Sequence, residues 1–149
     1  ATNVIPDQVY MEGTFRTFDE KWRAEAHIKM KKLAESLVES MGATCEFEIR
    51  KGYPYLVNNE SLTSSVKNHM FEYLGEENVV DLDLWMAGED FAFYSQELPA
   101  CFYRIGTGNE SKGTTFPVHT SQFDIDEDAL KISDGLMAYL ALKDLGNAI

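Results

Sequence analysis

Cysteine is scarce in this chain: Cys45 and Cys101 are the two among 149 residues, far apart and outside any Cys-x-x-Cys spacing. They can build neither a disulfide framework nor a zinc knuckle, so a reducing compartment, the cytoplasm, is expected. Basic residues are also few, 13 Lys and Arg against 25 Asp and Glu, which leaves a net charge of −12 and a pI near 4.6. A field of that sign repels phosphate backbones and anionic lipid, so neither nucleic acid nor a membrane is an expected partner. Long apolar runs are missing as well. The stretch from Leu136 to Leu142 is the longest clean one, far short of the roughly 20 residues that span a bilayer. The opening Ala1-Thr2-Asn3-Val4-Ile5-Pro6 lacks the basic-then-apolar pattern of a signal peptide and an initiator Met, which suggests a sequence beginning inside a longer one. No nucleophile elbow or phosphate-binding glycine loop is present; Gly106-Thr107-Gly108 is too short to carry meaning.

What is present is the composition of an ordinary globular protein, with 44% apolar and 26% charged residues, 9 Phe, 7 Tyr and 2 Trp. The length is about one domain. Val9, Met11, Gly13 and Phe15 alternate with other residues between Gln8 and Phe18, which predicts a strand. Thr17 and Glu20 have capping-box spacing, and Trp22, Ala26, Met30, Leu33, Leu37 and Met41 then recur at helical steps until Gly42 stops the helix. Thr44–Ile49 alternates again as a second strand. Gly52–Glu60 is turn-rich, and a unit boundary is expected near Asn58. A helix over Ser61–Leu74 stopped by Gly75, strand-like runs at Asn78–Leu84 and Cys101–Ile105, and a helix opened by Asp124 and Glu127 and ended by Gly146 complete the pattern. Alternation of this kind favours an α/β or α+β layer arrangement.

Few residues carry chemistry. His119 sits in a loop just before the last helix, where an imidazole could ligate a metal, move a proton, or simply be a hydrogen-bonded surface residue. His27 and His69 lie inside predicted helices and read as helix-surface residues. Glu89 and Asp90 follow Gly88 in a turn; adjacent carboxylates repel and seldom face one target, so one at most serves a site. Asp124, Asp126 and Asp128 resemble the start of a calcium loop, but Ala129 and Gly135 occupy its sixth and twelfth positions, leaving an acidic first turn that complements the helix dipole. Arg16 has the fork geometry that grips a carboxylate or forms a surface ion pair. Asn3 could bind a substrate oxygen or shape the turn before Pro6.

Asn3-Val4-Ile5-Pro6-Asp7, Gly13-Thr14-Phe15-Arg16-Thr17-Phe18, Gly88-Glu89-Asp90-Phe91 and Pro117-Val118-His119-Thr120-Ser121-Gln122-Phe123-Asp124 stand in the order in which one family carries similar motifs. The chain resembles the M20 metallopeptidases along its full length, and within them the amidohydrolase branch of hippurate hydrolases, auxin-conjugate hydrolases and N-acyl-amino-acid deacylases. The resemblance implies a mixed α/β fold. Residues 1–57 would form half of a βαβ lid and dimerisation domain, and residues 58–149 the C-terminal part of an α/β zinc-peptidase-like catalytic domain. It makes His119 a metal ligand, gives Arg16 the substrate's free carboxylate and Asn3 its polar atoms, and assigns Glu89 and Asp90 supporting roles. It further implies two divalent metal ions (Zn, Mn or Co) in the intact enzyme, an N-acyl amino acid or dipeptide-like substrate, and a homodimer formed through the lid. The family's Cys-Gly-His-Asp-type motif, its paired Glu and its further His ligand lie upstream of this region and are not in the sequence. The expectation is therefore a C-terminal fragment of a metal-dependent amidohydrolase, inactive alone and holding no metal stably. The alternative is a stand-alone dimerisation or protein- or cation-binding module.

Overall fold

The computed structural model describes residues 3–147, and their regular structure is helical: α1 (Glu20–Ser40), α2 (Glu60–Leu74), α3 (Ala92–Glu97) and α4 (Asp128–Asn147), with 3-10 turns at Glu76–Asn78 and Glu110–Lys112. Helix α1 starts two residues later than its capping-box spacing predicts. Asp19 Oδ1 accepts from the Trp22 amide at 2.9 Å, while Thr17 Oγ1 accepts from the Asp19 amide at 3.2 Å. A carboxylate at the N-cap both satisfies an orphan donor and complements the dipole, so Asp19 displaces Thr17 from the role. At the other end Gly42 takes φ 78°. Its amide donates to Glu39 O at 2.9 Å and the Ala43 amide to Val38 O at 3.2 Å, the paired closure that needs a left-handed residue. Asn59 caps α2 through the Leu62 amide at 3.0 Å, and Gly75 follows the helix at φ 86°. Helix α4 begins at Asp128 rather than Asp124 and runs through Gly146, the residue expected to stop it.

The expected α/β class, with a βαβ lid and an α/β catalytic domain, is not what the structure holds. Among the described residues no strand or bridge occurs, and 8–18, 44–49, 78–84 and 101–105 lack β pairing. Alternation marks a chain that can lie on a sheet, but a sheet exists only where a second backbone row offers its N–H and C=O groups. Residues 100–102 show what replaces that row. The Asn58 side chain accepts from the Phe102 amide at 2.8 Å and donates to Phe102 O at 2.9 Å, and the Asn59 amide donates to Ala100 O at 2.8 Å. One side-chain amide thus performs the reciprocal pairing that a neighbouring strand would have supplied.

The chain divides into two compact units, residues 3–55 with Trp85–Gly88, and 56–84 with 89–147. In the first, buried Arg23 ties α1 to the segment after it. Its guanidinium reaches Glu20 Oε2 at 2.5 Å and Tyr53 O at 2.7 Å, and Glu20 Oε1 accepts from the Tyr55 amide at 3.2 Å. Val9, Tyr10 and Met11, together with Ile28, Leu33 and Leu37 of α1 and Met41 at its C-cap, remain exposed.

The second unit has a core where α2 crosses α4. Met70, Leu136 and Leu140 are buried against one another, with Val66, Leu74, Val79, Tyr103 and Ile105 packed around them. Gly135 lets the helices come close: a Cβ there would lie 2.1 Å from the Tyr73 hydroxyl. The Tyr73 and Tyr139 rings then meet at 5.2 Å. Glu72 joins the same helices by accepting from Tyr139 Oη and Lys143 Nζ, both at 2.7 Å. The Lys143 hydrogen bond is the main reason its carboxyl is held down at about 2. Among the described residues no helix is long and apolar enough to cross a membrane.

Leu136 is wholly buried and Met137 is 58% exposed, so the two neighbours should respond oppositely to truncation. Leu136→Ala should cost about 3 kcal/mol and Met137→Ala less than about 1 kcal/mol. Urea unfolding of the two variants beside the parent checks this; equal losses would place the core elsewhere.

Candidate functional site

The segment 107–128 is built around one asparagine. Asn109 O accepts from the Lys112 amide at 3.2 Å and the Thr114 amide at 3.1 Å, and the Asn109 amide donates to Thr114 Oγ1 at 3.0 Å. Gly113, at φ 73°, supplies the left-handed residue that such a tight reversal requires. Thr114 is buried at the foot of the turn. The Asn109 side chain then crosses to Asp126, donating to its carboxylate at 2.6 Å, while Lys112 Nζ reaches Asp126 at 2.5 Å and Asp128 at 2.7 Å. The Asp126 amide closes the arrangement by donating to Thr107 O at 2.8 Å. The Lys112 ammonium, with Asn109 assisting, holds the Asp126 carboxyl at about 2 instead of 3.8, and the two aspartates push the Lys112 ammonium upward.

Between Thr114 and Asp126 the chain runs out as an exposed loop that carries His119. Thr120 Oγ1 donates to Pro117 O at 2.9 Å and the Phe123 amide to Thr120 O at 3.2 Å, which folds the loop tip into successive turns. His119 itself has φ 68°, the one non-glycine residue with positive φ among those described. An L-residue there is held about 1–2 kcal/mol above its relaxed conformation, and such outliers concentrate at functional positions. Nothing in the sequence could have shown this backbone angle.

The remaining candidates are distributed over both units. Arg16, exposed in the first, donates through Nη1 to Met86 O, and Asn3 is exposed in a turn of the same unit. Glu89 and Asp90 belong with His119 to the second unit. Glu89 Oε1 accepts from the Phe91 amide at 3.2 Å, and Asp90 O accepts from the Phe93 amide at 3.0 Å, so both help start α3. Sequence reasoning passed over Asn109 and Lys112 and took Asp126 as dipole charge. The acidic triplet before α4 was a signal, but its lysine partner lies 14 positions back, and only the fold joins them.

An open apolar cleft of about 370 Å³ in the second unit is lined by Leu62, Val66, Phe91, Tyr94 and Leu140 among others. Glu89, Asp90 and His119 do not line it. A catalytic zinc site takes three protein donors and an open position. No three His, Cys, Asp or Glu side chains gather in a metal-holding group among the described residues, so these donors do not complete the two-metal centre that the resemblance implies.

Residues 5–143 match the family described as Peptidase family M20/M25/M40, and the chain belongs to that family. Thermostable carboxypeptidases 2 and 1 of Saccharolobus solfataricus are each 37% identical to it over 142 residues, 95% of this chain and 35% of theirs. An uncharacterized hydrolase of Staphylococcus aureus is 38% identical over 132 residues, 87% of this chain and 34% of its own. The chain thus spans about a third of the length of the curated relatives it matches. No solved structure matches it.

Two outcomes follow from this geometry. Glycine adopts φ 68° without a Cβ penalty, so His119→Gly should stay within about 1 kcal/mol of the parent, while His119→Ala, which keeps the penalty and loses the imidazole, should be the less stable of the pair. Chemical denaturation of both variants decides it, and an Ala variant more stable than the Gly variant would count against strain at this position. For Asp126, a folded pKa of about 2 against an ordinary 3.8 means that the ion pair with Lys112 stabilises fully above the ordinary value and loses its contribution as pH falls toward 2. The stability gap between the parent and Lys112→Met should therefore be present at pH 6 and shrink progressively below pH 4, as read from urea midpoints.

Proposed function

We propose that this chain is the C-terminal part of a metal-dependent amidohydrolase that cleaves the amide of N-acyl amino acids or related conjugates in the cytoplasm. The observation that carries the reading is the family match over residues 5–143. The two relatives named carboxypeptidases support a substrate in which the cleaved amide stands beside a free carboxylate, a class that includes N-acyl amino acids and dipeptide-like compounds. Arg16 is the group suited to that carboxylate, because a guanidinium offers two parallel donors to its two oxygens. Asn3 would bind the substrate's remaining polar atoms, and Glu89 and Asp90 would hold the start of α3 in a supporting role.

His119 would be this chain's contribution to the metal centre. Its left-handed backbone supports the assignment, since a site that keeps an unfavourable conformation has a use for it. The other donors, and the Glu that handles the proton, would come from sequence outside these 149 residues, so the chain alone would be inactive. The exposed apolar side chains of the first unit, among them Leu33 and Leu37 of α1 and Met41 at its C-cap, at four-residue steps, are surface that a larger protein or a second copy would cover, which supports homodimerisation through this unit.

The test is to express the chain alone and joined to the upstream segment of its own reading frame, and to follow amino-acid release from N-acyl amino acids with zinc, manganese or cobalt. Hydrolysis by the joined protein alone is the expected result; hydrolysis by the 149-residue chain, or by neither, overturns the reading. In the joined protein Arg16→Ala should raise KM roughly 10- to 100-fold for carboxylate substrates, the loss expected for a hydrogen bond to a charged group. For the corresponding carboxamides KM should change little. An equal effect on both substrates removes Arg16 from carboxylate binding.

A further inference from the structure

The loop carrying His119 is tethered at both of its ends to the same short turn, residues 109–112. At its start, the Asn109 backbone pairs with Thr114 through the Thr114 amide at 3.1 Å and Thr114 Oγ1 at 3.0 Å. At its finish, the Asn109 side chain holds the Asp126 carboxylate at 2.6 Å, and Lys112, from the turn between, adds its ammonium at 2.5 Å. We propose that Asn109, Lys112 and Asp126 form a clamp that sets where His119 stands, making them positioning residues for the hydrolytic site. The proposal rests on the reading of His119 given above.

The physical reasons are three. Closing a flexible loop has an entropic cost that a fixed base removes from every working conformation of the loop. The charged contacts of Lys112, 46% exposed, and Asp126, 14% exposed, fall at the base of the loop and not in the apolar core, so what they fix first is the loop. The clamp also passes directly into the rigid part of the unit. Lys112 continues to Asp128 at 2.7 Å in the first turn of α4, and the Asp128 amide donates to Asp126 Oδ1 at 3.1 Å. Helix α4 is in turn fixed by Leu136 and Leu140 in the core. His119 is therefore referred to the core through a short chain of charged hydrogen bonds. The exposed loop could not hold a strained residue in one place by its own contacts.

Lys112→Met, Lys112→Arg and Asp126→Asn test the clamp beside His119→Ala. In the 149-residue chain, amide hydrogen exchange should accelerate much more over residues 115–125 than over α2 and the middle of α4 in Lys112→Met and Asp126→Asn, while unfolding stays cooperative. In the joined protein both variants should lose about 10²-fold in kcat, the scale of a 1 Å misplacement, with KM within about threefold of the parent. Lys112→Arg, which keeps the charge, should recover most of that loss. Loss of activity in His119→Ala with parent kcat in Lys112→Met and Asp126→Asn overturns the clamp and leaves the function standing. Full activity in His119→Ala overturns the reading of His119 itself, whatever the exchange rates show. Equal acceleration of exchange across α2, α4 and the loop would make these residues global stabilisers and not positioners.

Discussion

Helix α4 is held against α2 by Leu136, and what the second unit can do follows from that contact. Leu136 is wholly buried, with Met70 and Leu140 beside it. Around this small apolar centre the helices approach closely because position 135 has no side chain, and the Tyr73 hydroxyl occupies the room. Glu72 accepts from both Tyr139 and Lys143 on the far helix, adding direction to a contact that apolar burial alone leaves adjustable. Once α4 is fixed along its length, its first turn is fixed too. Asp128 stands there with Asp126 two residues before it, and the turn at 109–114 and the loop bearing His119 are hung from them.

The two units use charge differently. In the first, Arg23 is buried and paired with Glu20 and the Tyr53 carbonyl, so a charged pair does the work of a core where apolar side chains are largely exposed. Such a pair fixes geometry but brings little net stabilisation, because desolvating both charges consumes most of the Coulombic gain. In the second, the charged contacts of Lys112 and Lys143 lie near the surface beside a true apolar core. The unit with the larger core also carries the strained His119, as expected if backbone strain persists only where its surroundings over-determine it.

Membership of a peptidase family joins these observations to chemistry, and the length relation adds a constraint. A chain about a third as long as its curated relatives, with 142 residues aligned to each of the two carboxypeptidases, can carry some of a family's functional groups without carrying a complete centre. Among the described residues no three metal-binding side chains come together.

The sequence by itself determined helices α1 and α2, the presence of a last helix, and the family. Helical spacing and glycine stops at Gly42 and Gly75 are local signals, satisfied by bonds within a few residues, so α1 and α2 fall within about two residues of where the pattern places them. The motifs around Arg16, Glu89 and His119 were equally legible because they are contiguous. Strands were not determined: alternation at 8–18 or 101–105 states only that one face is apolar, and pairing depends on a second segment that the tertiary structure either brings or withholds. For Phe102 it brought the side chain of Asn58. Only the tertiary structure decided the left-handed conformation of His119 and the meeting of Asn109 and Lys112 with Asp126. Both depend on where the chain returns after a long excursion, and that is set by the packing of α4 on α2.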